Sequence, residues 1–134
     1  MGVEVGVRSL ERSLQLHRSK AKELGDGAGA NLLLFYAIEC GLKAALLRRT
    51  SGRSTADLDP SLRTHDLRKL ARELKIDGGL ARRLTPCRSR ETGQVHHHEL
   101  HEAWRYGANL DREQEGLAVA ALQALGAWCD QERG

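Results

Sequence analysis

The 134-residue chain has few aromatic residues, few prolines and few cysteines. Phe, Trp and Tyr together make up 4% of the residues, and there are two prolines and three cysteines. Leu and Ala must therefore fill the interior, which is typical of an all-helical fold. The cysteines, Cys40, Cys87 and Cys129, are odd in number and widely spaced. This pattern argues against a disulfide framework or a zinc knuckle and indicates reduced, mostly structural thiols.

The sequence pattern also indicates neither a signal peptide nor a membrane span. Charged residues alternate with apolar ones throughout Met1–Leu24, which is not the pattern of a signal peptide. The apolar run Leu32–Ile38 is followed by the charged residues Glu39 and Lys43, so it falls short of a membrane span. We therefore expect a soluble, cytoplasmic protein that makes no membrane contact.

Charge is distributed unevenly along the chain, although the net charge is only +3. Residues 43–90 contain thirteen basic and five acidic side chains, whereas residues 91–134 contain three basic and eight acidic ones. Such a layout suits an anionic ligand on the middle segment or contacts between copies of the chain. A solvated helical surface is the plainer alternative.

The most apolar stretch, Asn31–Arg49, predicts a central buried helix. Its apolar residues cover every direction of a helical wheel, as expected for a helix enclosed by others. We expect this helix to begin near Ala28 and to end near Thr50. Glu39 and Lys43 are four residues apart in the Glu-first order that favours an ion pair. A buried charge needs a partner, so this pair must either reach solvent or have a specific role.

Amphipathic patterns predict a helix on each side of this central one. The first is an outer helix over Val5–Leu24, and its stripe contains Val7, Leu10, Leu14, His17, Ala21 and Leu24. The second follows the polar loop 51–61, has Thr64 as its cap, and has a stripe of Leu67, Leu70, Ala71 and Leu74. A short helical piece over Leu80–Leu84 is expected after it.

The last third of the chain is expected to contain an irregular segment and two helices. Cys87–Gly93 is polar and irregular, and Val95–Tyr106 has helical patterning. Asp111 and Gln114 form a plausible capping box for a final helix to about Gln131. The stripe of that helix is Leu117, Ala121, Leu125 and Trp128. The fold class predicted is all-α, an antiparallel up-and-down bundle of four to five helices, with residues 1–134 forming a single domain.

The histidine cluster His96, His97, His98 and His101 is the most conspicuous chemical feature. On a helix, His97 and His101 would share a face and could bind a metal ion together with Glu99 or Glu102. The spacing differs from that of zinc proteases, and three consecutive histidines point about 100° apart on a helix. We therefore expect no metal and no cofactor, and interpret the cluster as a partly exposed helix start.

Three motifs, taken in order, resemble those of the HEPN domain family. Residues 34–44, LFYAIECGLKA, are similar to its apolar-Tyr-Ala-apolar-Glu-Cys-x-Leu-Lys signature, and His65-Asp66-Leu67 is similar to its His-Asp-Leu motif. Trp104-Arg105-Tyr106 resembles its late Trp-x-Arg-Tyr type of motif. The resemblance spans roughly Asn31 to Trp128. It implies an antiparallel bundle of four or five helices, commonly a homodimer, found in prokaryotic toxin-antitoxin and defence loci, often beside a small nucleotidyltransferase.

Active members of the HEPN family are metal-independent ribonucleases, so the resemblance also implies a candidate site. They use an Arg followed after four to six residues by a His. An Arg binds the scissile phosphate, and an imidazole moves the proton of the 2′-hydroxyl. The spacing occurs in Arg12–His17, Arg90–His96 and Arg90–His97, whereas the family-aligned Arg105 has no His downstream.

Two functional hypotheses follow from these residues. The first is a HEPN-type RNA- or nucleotide-binding protein, with Arg105 or Arg90 at the phosphate and His96 or His97 as acid/base. Its phosphate-contacting face would consist of Arg68, Lys69, Arg72 and Lys75, and its cleft residues would be Glu39, Lys43, His65, Asp66, Trp104 and Tyr106. We expect Glu39 and Lys43 to have a structural role there and to bond with His65 or Arg105 in a dimer cleft. The alternative is a non-catalytic interaction module whose partner is a nucleotidyltransferase or another protein.

Overall fold

The computed structural model describes residues 4–133 and is mostly helical, with one small sheet. The ends of the predicted domain, residues 1–3 and 134, lie outside this range. The helices are α1 (Val7–Leu24), α2 (Ala28–Arg49), α3 (Leu67–Glu73), α4 (Gly78–Arg82), α5 (Leu100–Arg105) and α6 (Arg112–Arg133). The strands are β1 (Cys87–Ser89) and β2 (Gly93–Val95). A mostly helical fold is therefore confirmed, and the small sheet is a departure from the all-α prediction.

Helix α2 is the element around which the others pack. It contacts α1, α3, α5 and α6. Phe35, Ile38 and Leu42 have no exposed surface, and burial of each such side chain contributes about 1.5–3 kcal/mol. The prediction of a central buried helix over Asn31–Arg49 is confirmed.

Helix α2 also has the length and hydropathy to cross a bilayer, the one helix among residues 4–133 that does. The expectation that Glu39 and Lys43 make this segment too short for a membrane span is therefore wrong, as judged by length and composition alone. Inside the protein, however, 67% of its apolar window is buried by other segments. Such burial is typical of the core helix of a water-soluble domain.

Two glycines allow α1, α2 and α6 to approach one another closely. A Cβ on Gly41 of α2 would lie 2.9 Å from the sulfur of Cys129 and 3.1 Å from Cδ2 of Leu14. A Cβ on Gly126 of α6 would lie 3.1 Å from Cδ1 of Ile38. These two positions therefore leave little room for a side chain between the three helices.

The buried faces of the outer helices differ in part from the predicted stripes. On α1, Leu10, Leu14 and Ala21 are buried, but Leu24 is 58% exposed. On α6, Leu117 is 58% exposed. The buried set of α6 is instead Ala118, Ala121, Leu122, Leu125 and Cys129. The buried face of α6 therefore includes the small residue Ala118 in place of the predicted Leu117, which suits the close packing of α6 on α2.

The two predicted caps were only partly right. Asp66, not Thr64, caps α3, since Oδ1 of Asp66 accepts a hydrogen bond from the Lys69 amide at 3.1 Å. Asp111 accepts from the Gln114 amide at 2.9 Å, as predicted. The Gln114 side chain accepts from the Arg88 amide at 2.7 Å instead of closing a capping box. The carboxamide thereby ties α6 to β1.

Residues 87–106 contain the largest departure from the predicted structure. Cys87–Gly93 is not irregular, because β1 and β2 form an antiparallel hairpin in which Cys87 pairs with Val95. The predicted helix Val95–Tyr106 is also wrong in its first half. Val95 belongs to β2, a 3₁₀ turn covers His97–Glu99, and α5 begins at Leu100. Both paired residues, Cys87 and Val95, face the core.

We predict that Gly41→Ala will lower the free energy of unfolding by about 1–3 kcal/mol, because the new methyl group would overlap the Cys129 sulfur. Gly116→Ala on α6 is the matched control, since a Cβ there meets nothing within 4 Å. Removing that glycine should raise stability by about 0.5–1 kcal/mol. Urea denaturation of both variants measures the difference, and equal effects would contradict the close approach of the helices.

Candidate functional site

The central polar feature is the carboxylate of Glu39, which lies on α2 and is 9% exposed. Its Oε2 accepts a hydrogen bond from Nζ of Lys43 at 2.9 Å. Its Oε1 lies 2.6 Å from Nδ1 of His65, which precedes α3. The predicted Glu–Lys pair is therefore present, and so is its predicted contact with His65. A buried carboxylate with both oxygens occupied avoids most of the cost of an unpaired charge.

His65 contacts the buried Glu39 carboxylate but is itself largely exposed. Its side chain is 57% exposed, although Nδ1 contacts the buried Glu39. The turn that holds it is fixed by Thr64, whose hydroxyl accepts from the Asp66 amide at 3.1 Å. A neutral imidazole that donates from Nδ1 has an acceptor at Nε2. Glu39 thus selects a ring orientation in which Nε2 can take a proton from a bound molecule.

His101 lies beneath His65 and completes the interior of the site. It is 5% exposed, and its ring centroid is 4.8 Å from that of His65 and 5.1 Å from that of Phe35. Within residues 4–133 its buried Nδ1 has no hydrogen-bond partner. Burial lowers the pKa of His101, and the neighbouring His65 lowers it further. His101 is therefore a neutral, apolar support for the exposed ring.

Arg105 supplies a cation on the same side of the molecule. Its guanidinium is exposed and donates a hydrogen bond to the Tyr36 hydroxyl, a contact that raises the pKa of Arg105. The Tyr36 ring lies 6.4 Å from that of His101. The predicted contact of Arg105 with the Glu39 pair is therefore replaced by one with Tyr36.

These residues form what we call the His65 cluster: Tyr36, Glu39, Lys43, His65, His101 and Arg105. They come from three segments that are far apart in sequence, namely α2, the residue before Asp66, and α5. The cluster combines an oriented imidazole with two cations. Such a set can bind a phosphate group and transfer a proton beside it.

Arg90, His96 and His97 are not brought together as a catalytic set. Arg90 lies between β1 and β2, and its amide donates to the carbonyl of Asn109 at 3.1 Å. His96 is exposed and stacks on His98, with ring centroids 5.7 Å apart. In the described part of the chain, neither His96 nor His97 contacts Arg90. The sequence spacing therefore does not produce a pair in three dimensions.

Arg90 instead lines a cavity of about 600 Å³ at the start of α6. The residues around this cavity are Arg88, Ser89, Arg90, Asn109, Leu110, Asp111 and Arg112. Three guanidiniums near one cavity leave it with an excess of positive charge, because Asp111 is the single acidic residue among them. The cavity is therefore a basic concave surface.

Only part of the predicted phosphate-contacting face is free for a ligand. The Arg68 guanidinium donates to the carbonyls of Leu84, at 2.9 Å, and Arg82, at 3.2 Å. It therefore ties α3 to the end of α4. Lys69 is half-buried, whereas Arg72 and Lys75 are exposed.

Asp66, Trp104 and Tyr106 have different structural settings. Asp66 caps α3, as described above. Trp104 is 2% exposed and donates from Nε1 to the Glu115 carboxylate at 2.9 Å. This bond joins α5 to α6, which fits the structural role predicted for Trp104. Tyr106 is 80% exposed and does not pack in the interior.

The other expected histidine pair is also separated. His97 and His101 do not share a helix face, because residues 97–99 form a 3₁₀ turn. His97 faces Asp66, with Nδ1 3.7 Å from Oδ1, whereas His101 lies under His65. The contact between His65 and Glu39 joins residues that are 26 positions apart, so residue spacing alone does not predict it. The HDL motif was the available clue.

No family model, curated protein or solved structure matches this chain.

We predict that the neutral state of His101 makes the protein less stable in acid. Its pKa is lowered in the folded state, so unfolding below the ordinary histidine pKa of about 6.5 takes up a proton. Above that pH, His101 does not reduce the free energy of unfolding. As the pH falls below it, the free energy of unfolding decreases because the unfolded chain binds the proton more readily. The decrease can approach 1.4 kcal/mol per pH unit.

His101→Gln should therefore flatten the dependence of unfolding free energy on pH between 7.5 and 5.5. Urea denaturation at several pH values measures this slope independently of the absolute stability of the variant. A slope equal to that of the unmodified protein would contradict a neutral, buried His101.

Proposed function

We propose that this chain is a HEPN-type domain that binds RNA at the His65 cluster and cleaves it without a metal ion. The observation that carries the proposal is the exposed imidazole of His65, held by the buried carboxylate of Glu39 at 2.6 Å. An imidazole oriented in this way is suited to proton transfer near neutral pH.

The chemistry follows from the positions of these groups. Arg105 would bind the non-bridging oxygens of the scissile phosphate through its guanidinium. Nε2 of His65 would accept the proton of the 2′-hydroxyl, and Glu39 would stabilise the resulting imidazolium. The 2′-oxygen then attacks phosphorus, the bond to the 5′-oxygen breaks, and that oxygen takes a proton from water. A 2′,3′-cyclic phosphate and a 5′-hydroxyl are the products.

The convergence of three motifs supports the HEPN assignment within this proposal. Glu39 and Lys43 belong to the first motif, His65 to the second and Arg105 to the third. All three supply side chains to the His65 cluster, although the sequence separates them by up to 66 positions. Convergence at one site is what a shared function would require.

His65 is the proposed acid/base residue, in place of the His96 or His97 suggested by the sequence. The family spacing of Arg and His is not reproduced around Arg105, and Arg90 has no histidine beside it in the described residues. His65 is the exposed imidazole that contacts both a carboxylate and the buried His101.

Additional RNA contacts would come from the cavity around Arg88, Arg90 and Arg112, and from Arg72 and Lys75. These side chains are exposed, and guanidiniums bind phosphate oxygens in a bidentate manner. A cytoplasmic toxin-antitoxin or defence role, a homodimeric state and a nucleotidyltransferase partner belong to the same proposal.

A non-catalytic interaction module is the second candidate, and Tyr106 favours it. Tyr106 is 80% exposed and borders a cavity of about 420 Å³ together with Val95, Ala103 and Ala108. The lining also contains polar residues, namely Thr92, Gln94, Glu99 and Glu102. An exposed aromatic beside a recess of mixed polarity is typical of a protein-binding surface. This candidate predicts that the purified protein degrades no RNA and co-elutes with a protein partner.

We predict that His65→Gln will slow RNA cleavage by roughly 10²–10⁴-fold, because the general base is lost. The assay uses a fluorescent single-stranded RNA, tag-free protein and EDTA. His96→Gln is the matched control, since His96 is exposed and lies outside the His65 cluster, and it should cleave at the normal rate. Unchanged cleavage by His65→Gln would remove His65 from the mechanism.

We also predict that Arg105→Ala will weaken RNA binding. Loss of one phosphate contact should reduce the slope of log affinity against log salt concentration by about one. Arg12→Ala on α1 is the control and should bind RNA normally. Titrations between 50 and 200 mM salt measure both slopes, and identical slopes for Arg105→Ala and the unmodified protein would exclude the contact.

A further inference from the structure

The histidine-rich turn before α5 brings two potential metal ligands close to a third, the residue that caps α3. Asp66, His97 and His98 each offer one ligand atom, and these atoms all lie within 4.8 Å of one another. Asp66 is separated from the two histidines by about thirty positions, so the grouping is a product of the fold. It is distinct from the pair His97 and His101 that the sequence pattern suggested.

His97 has an unused nitrogen at this position. Its Nδ1 is buried and has no hydrogen-bond partner among the residues described. The nearest acidic atom is Oδ1 of Asp66 at 3.7 Å, which is too long for a hydrogen bond. A buried imidazole nitrogen that is unpaired and faces a carboxylate is missing a bonding partner, and a cation between the two would supply it.

The donor set matches a first-row divalent metal. We propose that Asp66, His97 and His98 bind one zinc-type divalent cation through one carboxylate oxygen and two imidazole nitrogens. In a tetrahedral site with bonds of 2.0–2.1 Å, ligand atoms are about 3.3 Å apart. His98 is exposed, so rotation of its side chain can close the remaining distance.

Existing interactions of the three residues are compatible with this role. Oδ1 of Asp66 accepts a hydrogen bond from the Lys69 amide at 3.1 Å. A carboxylate has about four acceptor positions, so capping α3 leaves room for a metal bond. His98 lies on the solvent side, which leaves the fourth coordination position open to water.

Two charged groups near His97 have opposite effects on a bound cation. Arg68 is close enough to disfavour a positive charge on His97, and Asp66 favours one. The Arg68 guanidinium is held by the carbonyls of Leu84 and Arg82, so it cannot move away freely. A metal site here is therefore expected to depend strongly on the negative charge of Asp66.

The site would have a consequence for the architecture around His65. Asp66 directly follows His65, and His97 and His98 belong to the turn that leads into α5. A bound cation would therefore tie the start of α3 to the start of α5, the two segments that carry His65 and Arg105. This role goes beyond RNA binding, and it places no metal in the cleavage reaction.

Calorimetric titration of tag-free, full-length protein with zinc tests the proposal. We expect saturable binding of one ion per chain and a rise in Tm with zinc. Cobalt substitution should give the strong visible absorption bands of tetrahedral coordination by nitrogen and oxygen. Absence of saturable binding, or cobalt bands of octahedral type, would overturn the proposal.

Matched variants identify the ligands. Asp66→Asn keeps a side-chain oxygen that can cap α3 but removes the charge, so it should weaken zinc binding at least about tenfold without unfolding α3. His98→Ala, at an exposed position, should do the same. His96→Ala is the control, because His96 stacks on His98 but is not one of the three ligands.

Equal loss of zinc binding in His96→Ala and His98→Ala would indicate non-specific binding by the histidine-rich segment and would overturn the assignment. So would normal binding by Asp66→Asn. RNA cleavage in EDTA is measured separately, so failure of the metal site and failure of the ribonuclease proposal are distinguishable.

Discussion

The buried carboxylate of Glu39 is the constraint on which the rest of the site depends. It lies in the most apolar helix of the chain, where an unpaired charge would be costly. Lys43 occupies one oxygen at 2.9 Å and His65 contacts the other at 2.6 Å. Because Glu39 is fixed within α2, it sets the position of His65, although that residue lies in a turn. A catalytic or binding histidine on a turn needs such an anchor to be positioned accurately.

The uneven charge distribution of the sequence is explained in part by internal pairing. Arg49, at the end of α2, bonds with Glu132 of α6 at 2.8 Å, and Arg18 of α1 pairs with Asp130 at the same distance. Each exposed pair contributes at most about 1 kcal/mol. Acidic residues near the C-terminus thus neutralise cations on α1 and α2, whereas Arg88, Arg90 and Arg112 form a basic cavity elsewhere.

Long elements and local pairs were predictable from sequence, whereas short elements were not. The apolar run of α2 and the four-residue spacing of Glu39 and Lys43 are strong local patterns, and both are present in the structure. The hairpin of β1 and β2 has strands of only three residues, and its pairing depends on burial of Cys87 and Val95, which no local pattern reveals. Because the hairpin extends to Val95 and a 3₁₀ turn follows it, α5 begins only at Leu100. His97 and His101 are therefore not on one continuous helix.

The candidate site was predictable in its membership but not in its geometry. Glu39, Lys43, His65 and Arg105 were all predicted as site or cleft residues, whereas His96 and His97, predicted as the acid/base partners of Arg90, do not contact it in the described residues. Long-range contacts between Glu39 and His65, or between Arg105 and Tyr36, depend on how α2, α3 and α5 pack. Sequence spacing carries no information on that packing.

The central claim is that Glu39 fixes the orientation and tautomer of His65, and ¹⁵N NMR of the imidazole nitrogens tests it most directly. Near neutral pH, the account predicts that the neutral ring of His65 carries its proton on Nδ1 and leaves Nε2 bare. The Glu39→Gln variant should lose this preference. A neutral His65 ring that carries its proton on Nε2 in the unmodified protein would contradict this claim.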